Sequence, residues 1–235
     1  MTITIQPQFP VIIALTIIIV VVLKIISTKL EKFDALSTPT PLVTVCILLV
    51  EYIDSFVSEI TNKKMGEKLA PYICSIAIYI LLSNYIGLFG FENPTKNWSV
   101  TLSLALITFI LIQKTDIEYN GIGSYIHAFF EPIFLFFVPN FFGTIAPLLS
   151  MSLRLFGNLL SGSIIMELVY NLGNTISNVF WSIFGIKDIF NFIGPIIAAP
   201  LHVYFDLFSG FIQTYIFIML SAAFIGNKIP DEQRD

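Results

Sequence analysis

Charged residues are scarce in this sequence. Asp, Glu, Lys and Arg make up only 12% of its 235 residues, whereas hydrophobic residues make up 56%. A soluble domain of this length needs far more charged surface, so the composition excludes an ordinary soluble protein and predicts an integral membrane protein. The net charge of −4 is modest and gives no sign of a nucleic-acid partner.

Histidine and cysteine are also rare, with two of each. Cys46 and Cys74 lack the spacing of metal ligands, so we interpret them as small buried hydrophobic residues. A metal role for His202 is disfavoured because no second histidine is nearby. The sequence therefore predicts no metal and no cofactor. It also lacks the HExxH and GxSxG motifs, which argues against an intramembrane enzyme.

Long apolar blocks predict an all-α integral membrane protein, with residues 1–235 as a single membrane domain. The expected membrane helices are 10–27, 69–91, 98–112, 125–172 and 189–226. The segment 125–172 is interrupted by three prolines and predicts a broken helix pair. It and 189–226 exceed one perpendicular crossing, so we expect both to tilt steeply or break. The half-apolar segment 41–62 predicts an amphipathic helix on the inner membrane surface.

The basic residues predict the topology. The first apolar block has no Lys or Arg before it and is followed by lysines, which favours a retained helix with its N-terminus outside rather than a cleaved signal peptide. This arrangement places nine Lys and Arg residues inside and two outside, as the positive-inside rule requires. We expect the N-terminus outside, the C-terminus in the cytoplasm, and five membrane passes.

Arg154 is one of two arginines in the sequence and lies within a long apolar stretch. A central arginine costs about 2.5 to 3.5 kcal/mol to insert into a membrane, so such a residue is usually functional. The alternative is a structural arginine satisfied by carbonyl groups or an acid. At 100° per residue, a stripe of mostly small or polar residues shares its helix face. These residues are Pro147, Ser150, Asn158, Ser161, Gly162 and Ile165, while Leu159, Ser163, Glu167 and Tyr170 lie opposite.

A second polar stripe occurs in the last apolar block. His202, Asp206, Ser209 and Gln213 are spaced by 4, 3 and 4 residues, on a helix whose other faces are almost entirely apolar. Four polar residues in register indicate a water-filled path or a polar partner within the bundle. A buried hydrogen-bond network without a transport role is the alternative.

At these residues the sequence resembles the F-type ATP synthase subunit a family. The strongest match is SLRLFGN at 152–158, the second is GFIQTYIFIMLSAAFI at 210–225, and NWSVTLSLALITF at 97–109 is a weaker third. The resemblance implies a non-nucleotide-binding subunit that moves protons or sodium ions through the membrane sector and couples their flow to rotation. Its implied partners are a ring of c subunits, the peripheral-stalk subunit b, the soluble ATPase head and the lipid bilayer, in a bacterial plasma membrane.

The resemblance also implies roles for individual residues. Arg154 corresponds to the essential arginine that faces the c-ring carboxylate, and Asn158 and Gln213 help to place it and line the path. Family members usually carry an ionisable residue nine positions after the arginine, where this chain has Ser163. Glu167, one turn further, is the expected substitute. Asp206, with His202 a turn before it, retains the second ionisable position.

Two further interpretations remain open from the residues alone. A secondary transporter or channel could use Arg154 to hold an anionic substrate, but the sequence shows no internal repeat of the kind such transporters carry. A purely structural assembly subunit would tolerate replacement of Arg154 without losing ion transport.

Overall fold

The computed structural model describes residues 8–31, 41–183, 190–191 and 193–230. Every regular element within these residues is helical. The α-helices are α1 Gln8–Glu31, α2 Pro41–Ile60, α3 Lys63–Tyr85, α4 Trp98–Ala128, α5 Phe137–Ile183, α6 Ile193–His202 and α7 Ser209–Gly226. Short 3₁₀ turns cover Ile86–Phe89, Pro94–Lys96 and Phe134–Phe136, and a π-helical segment, Val203–Phe208, joins α6 to α7.

Five helical segments of the described chain are long and apolar enough to cross a membrane. They are Phe9–Thr28, Lys63–Phe89, Trp98–Ala128, Phe134–Ile183 and Ile193–Gly226. This confirms the predicted all-α membrane protein with about five membrane helices. The helix α2 is not one of the five, and its position at the inner membrane surface stays a prediction.

The core lies where α3, α4, α5 and α7 meet. On α3 the buried residues Leu69, Ile73, Ile76 and Ile80 recur every three or four positions, so they form one face of the helix. That face packs with Leu155 of α5 and other buried residues of the core. In contrast, only 6% of the most apolar window of the α5 segment is buried within the chain. Most of the apolar surface of α5 is therefore available to lipid or to another subunit.

The helix α4 is longer than predicted. The polar run 113–124 lies between two apolar blocks; the first helical part of α4 extends past Ile112 into this run and ends at a kink at Gly121, and a second short helical part then reaches Ala128. Its polar residues include Thr115 and Asp116, which are buried against neighbouring helices. The regular geometry is interrupted only at Gly121, whose φ of +78° is a conformation that favours glycine.

The boundaries of α5 also differ from the expected broken pair at 125–172. The break comes at 129–136, around Pro132, the first of the three prolines, and α5 then runs continuously for 47 residues to Ile183. Pro139 falls in its first turn, where a missing N–H costs little, and Pro147 is accommodated inside the helix. At 1.5 Å per residue α5 is about 70 Å long, against a hydrocarbon thickness of about 30 Å, so it must tilt or curve.

Asn140 holds the turn before α5 in place. Its side-chain amide donates hydrogen bonds to the carbonyl oxygens of Ala128, Phe129 and Glu131, at 3.1, 3.2 and 2.9 Å. The last carbonyls of an α-helix have no partner within the helix, so this amide satisfies groups that the end of α4 leaves open.

The closest approach of α5 to α6 occurs at two glycines. A Cβ atom added to Gly173 would clash with the backbone of Gly194, so the two helices touch through their main chains. Small residues permit such contacts between membrane helices.

We expect Gly173→Ala to lower the melting temperature of the detergent-solubilised protein, because the two backbones must separate; overpacking of this kind costs roughly 1 to 3 kcal/mol. The matched control is Gly123→Ala, since a Cβ atom at Gly123 meets nothing within 4 Å. Equal melting temperatures for the two variants would contradict this packing.

Candidate functional site

Arg154 lies on α5 at the border between its packed face and its open face. Met151 and Leu155 on one side of it are buried, whereas Leu153 and Arg154 itself are exposed. In the described part of the chain, no acidic side chain forms an ion pair with the guanidinium. The charge is therefore presented outward and is not neutralised by the chain itself.

The stripe predicted around Arg154 divides into two groups. Ser150, Ser161 and Ile165 are exposed, as Arg154 is. Asn158 and Gly162, at the edge of the same stripe, instead contact residues of the last membrane span. A Cβ atom at Gly162 would lie 3.6 Å from the ring of Phe205, so a small residue there allows close packing.

Asn158 and Ser209 form a reciprocal pair of hydrogen bonds between α5 and α7. The Asn158 amide donates to the Ser209 hydroxyl oxygen at 3.0 Å, and the Ser209 hydroxyl lies 3.1 Å from the Asn158 carbonyl oxygen. The hydroxyl thus accepts one hydrogen bond from the amide and donates its single proton to the amide oxygen, so both polar atoms of the asparagine side chain have a partner. This clamp holds the last helix one turn away from Arg154.

The π-helical segment Val203–Phe208 carries Asp206. Segments of this kind are rare and often occur at functional sites. His202, directly before the segment, has its Nδ1 2.6 Å from Oδ2 of Asp206, and its Nε2 3.2 Å from the hydroxyl of Tyr170 on α5. The tautomer that satisfies both contacts has the proton on Nδ1, so that His202 donates to Asp206 and accepts from Tyr170.

A cavity of about 290 Å³, which we name the Asp206 cavity, lies beside this segment. Several predicted site residues line it together, namely Asn158, Ser163, His202 and Asp206. Glu167 does not line it and is exposed on α5. The expected role of Glu167 as a substitute acid stays a prediction.

Gln213 is placed apart from this cavity. Its side chain is only 6% exposed, and its amide nitrogen has no hydrogen-bond acceptor among the described residues. The four residues of the predicted polar stripe in the last membrane span thus lie in three different environments. His202 and Asp206 line the cavity, Ser209 bonds to Asn158, and Gln213 is buried between helices.

A second cavity of about 370 Å³, the Lys228 cavity, lies beside the first turns of α5. Its polar lining consists of Gln113, Asn140, Thr144, Asn227 and Lys228. On α5, Pro147 lines the Lys228 cavity and Asn158 lines the Asp206 cavity. Arg154 comes seven residues after the first and four before the second, so it separates the two cavities along the helix.

Sequence reasoning missed the connection between the Asp206 cavity and the loop that follows α3. Asn93 and Lys96 of that loop line the cavity. Asn84 donates to the carbonyl oxygen of Gly210 at 3.1 Å and accepts from the hydroxyl of Thr95 at 3.1 Å. The available signal was Asn84, an amide at the end of an otherwise apolar helix, which needs a partner when buried.

The described residues contain no group of three or more His, Cys, Asp and Glu side chains that could hold a metal ion. Both cysteines are free and half-buried.

Comparisons with known proteins agree over most of the chain. The family model described as ATP synthase A chain matches residues 10–226. ATP synthase subunit a of Mycoplasma genitalium is 34% identical over 215 residues, which cover 82% of this chain and 69% of that protein. ATP synthase subunit a of Sulfurihydrogenibium sp. is 30% identical over 224 residues, covering 93% and 96% of the two chains.

A third similar protein is the sodium ion specific ATP synthase subunit a of Propionigenium modestum. It is 29% identical over 202 residues, which cover 78% of this chain and 63% of that protein. The similarity to the family thus extends into the first 90 residues, which carry no recognisable motif.

We expect Ser209→Ala to lower the melting temperature more than Ser163→Ala. The first variant leaves the half-buried Asn158 amide without its partner, which costs roughly 1 to 3 kcal/mol. The second removes only a hydroxyl that bonds to the Leu160 carbonyl of its own helix. Equal melting temperatures of the two variants, measured in detergent, would show that the clamp does not stabilise the helix pair.

Proposed function

This chain belongs to the ATP synthase A chain family, and on that premise we propose that it moves ions along two half-channels separated by Arg154. The family is that of the non-catalytic subunit that supports ion translocation in the membrane sector of the enzyme, and the chain is a multi-pass membrane protein. The proposal concerns the path of the ion and the residues that form it.

The placement of Arg154 is the observation that carries the proposal. It is an exposed cation without an ion-pair partner among the described residues, and each side of it on α5 borders a separate cavity with polar lining. Two half-channels need such a division, because a continuous polar path would let ions pass without rotation of the partner ring.

The partner on the open face of α5 is a ring of c subunits, each carrying a carboxylate. That carboxylate must be neutral, by protonation or by ion binding, while it faces lipid. Near Arg154 the guanidinium favours the charged carboxylate and so releases its ion. Arginine suits this task because it does not lose its proton, and the attraction stays weak enough for the next step to break it.

The Asp206 cavity supplies the half-channel that opens to the outer side. Asp206 accepts a proton from a hydronium ion that enters the cavity, which leaves a neutral water molecule, and passes the same proton to a ring carboxylate, so its O–H bond forms and breaks once in each transfer. His202 donates a hydrogen bond to Asp206 and holds its carboxylate in position at the cavity. Ser163 lines the cavity but does not take up a proton as a carboxylate does.

The Lys228 cavity supplies the half-channel that opens to the cytoplasm. This assignment follows from the excess of Lys and Arg in the segments expected inside, with the N-terminus outside and the C-terminus inside. The subunit b of the peripheral stalk and the ATPase head complete the proposed assembly in a bacterial plasma membrane. The coupling ion is a proton or a sodium ion, and the choice resides mainly in the ring carboxylate.

We expect Arg154→Ala to abolish ion-driven ATP synthesis while the complex still assembles, because no ion pair among the described residues is lost. Arg154→Lys should also be severely impaired, since the ammonium group has a different geometry and loses its proton more easily. Synthesis is measured in membrane vesicles, with Lys114→Ala as a control that removes an exposed cation of α4. Normal synthesis with either Arg154 variant would contradict the proposal and favour a structural subunit.

The acid in the path is tested separately. We expect Asp206→Asn to slow ATP-driven ion pumping by roughly ten-fold or more, because the cavity loses its general acid and base. Adding Ser163→Glu should restore part of the rate, since position 163 borders the same cavity. We expect Glu167→Gln to slow pumping as well if its carboxylate joins the path, and a wild-type rate would exclude Glu167. Unchanged pumping in Asp206→Asn would contradict its proposed role.

A further inference from the structure

A short ion pair joins α4 to the residues that follow α7. Nζ of Lys228 lies 2.6 Å from Oδ2 of Asp116, and the side chains are 38% and 12% exposed. The amide of Asn120 donates to Oδ1 of Asp116 at 2.9 Å and to the carbonyl oxygen of Lys228 at 3.1 Å. Both carboxylate oxygens of Asp116 are thus bonded, and the lysine is held at its main chain and at its side chain.

This pair differs from an ordinary surface contact. The neighbouring pair between Lys68 and Glu118 is 3.7 Å long, with side chains 57% and 50% exposed. Exposed pairs of that kind contribute little to stability. The buried Asp116 carboxylate, in contrast, needs its cation, because an unpaired buried charge is strongly unfavourable.

The pair lies at the wall of the Lys228 cavity. Among the described residues that line this cavity, Lys228 is the only one with a charged side chain, and Asp116 is not among them. Lys228 therefore borders the cavity, and Asp116, which pairs with its ammonium group, lies outside the cavity lining. The electric field of a paired lysine and aspartate falls off with distance faster than that of an unpaired ammonium group. A cation in the cavity is therefore repelled less when Lys228 is paired with Asp116.

We propose that the Asp116–Lys228 pair sets the charge of the Lys228 cavity and so controls how fast cations reach the ring from that side. This inference rests on the proposed function, because it assumes that the cavity is a half-channel. Without Asp116, the ammonium group repels a proton or sodium ion in the cavity. The neighbouring lining residues Gln113, Asn140, Thr144 and Asn227 carry no charge that could compensate it.

The test uses the assembled synthase in vesicles, with variants matched for the amount of complex. We expect Asp116→Asn to slow ATP-driven pumping about three- to ten-fold at low ionic strength, as one uncompensated charge at this range predicts. The loss should largely disappear at about 0.3 M salt, because salt screens the repulsion. The double variant Asp116→Asn with Lys228→Gln should pump within about two-fold of wild type, and the control Glu118→Gln should pump normally.

A purely structural role of the pair predicts a different pattern. The double variant would then be at least as slow as Asp116→Asn, and the rates would not depend on salt. Either result, or a wild-type rate in Asp116→Asn at low salt, would overturn the inference. If one of these contradicting results is found while Arg154→Ala still abolishes synthesis, the half-channel proposal stands and only the proposed role of the Asp116–Lys228 pair is wrong.

A chemical-modification experiment tests the same proposal without requiring that the single variant Asp116→Asn assembles. Cys46 and Cys74 are replaced by alanine, and Lys228→Cys is combined with Asp116→Asn to give a neutral pair. A thiol reagent that adds an ammonium group then installs the uncompensated cation after assembly, whereas a neutral reagent of the same size does not. We expect only the cationic reagent to slow pumping. Equal slowing by both reagents would show that bulk, not charge, controls the cavity.

Discussion

An arginine side chain without an ion-pair partner in the described part of its own chain is the constraint on which the rest of the structure depends. Such a charge costs several kcal/mol in a membrane unless something outside compensates it. The helix α5 meets this constraint by keeping Arg154 at the edge of its packed face, where Met151 and Leu155 are buried and the guanidinium is exposed. The charge is anchored by packing yet remains open to a partner. The position of Arg154 on α5 also separates the two cavities, which border the helix before and after it.

The π-helical segment Val203–Phe208, which carries the charged residue Asp206, is held in place by hydrogen bonds to other helices. Around it, the carbonyl oxygens of Leu207 and Gly210 accept hydrogen bonds from Tyr85 and Asn84 of α3. Ser209 bonds to Asn158 of α5. The segment that carries Asp206 is therefore tied to two other helices. These contacts fix the backbone around Asp206, and among the described ion pairs Asp206 pairs with His202 and not with Arg154.

The features that the sequence predicted are those with a local physical cause. The length of apolar runs identified the membrane helices, and the cost of inserting a charge singled out Arg154, because both depend on neighbouring residues alone. The features it missed depend on distant contacts. The first part of the polar run 113–124, up to the kink at Gly121, stays helical, and there Asp116 pairs with Lys228, which follows α7. Asn158 turned out to face Ser209 rather than the open side, because helix rotation is set by packing across helices. The π-helical segment has no periodic signal in the sequence.

The two cavities differ in what they can do with a cation. The Asp206 cavity contains a carboxylate and an imidazole, which attract and hold a proton. The described lining of the Lys228 cavity contains no carboxylate, and its one charge is a cation already paired with Asp116. Under the proposed function, an ion released into the Lys228 cavity meets no competing base and passes on to water. An ion on the other side is first captured and then delivered to the ring. Under the same proposal, Arg154 separates a site of capture from a site of release, so the two half-channels differ in how they handle the ion. This difference affects the rate of each step, whereas the direction of flow is set by the overall driving force.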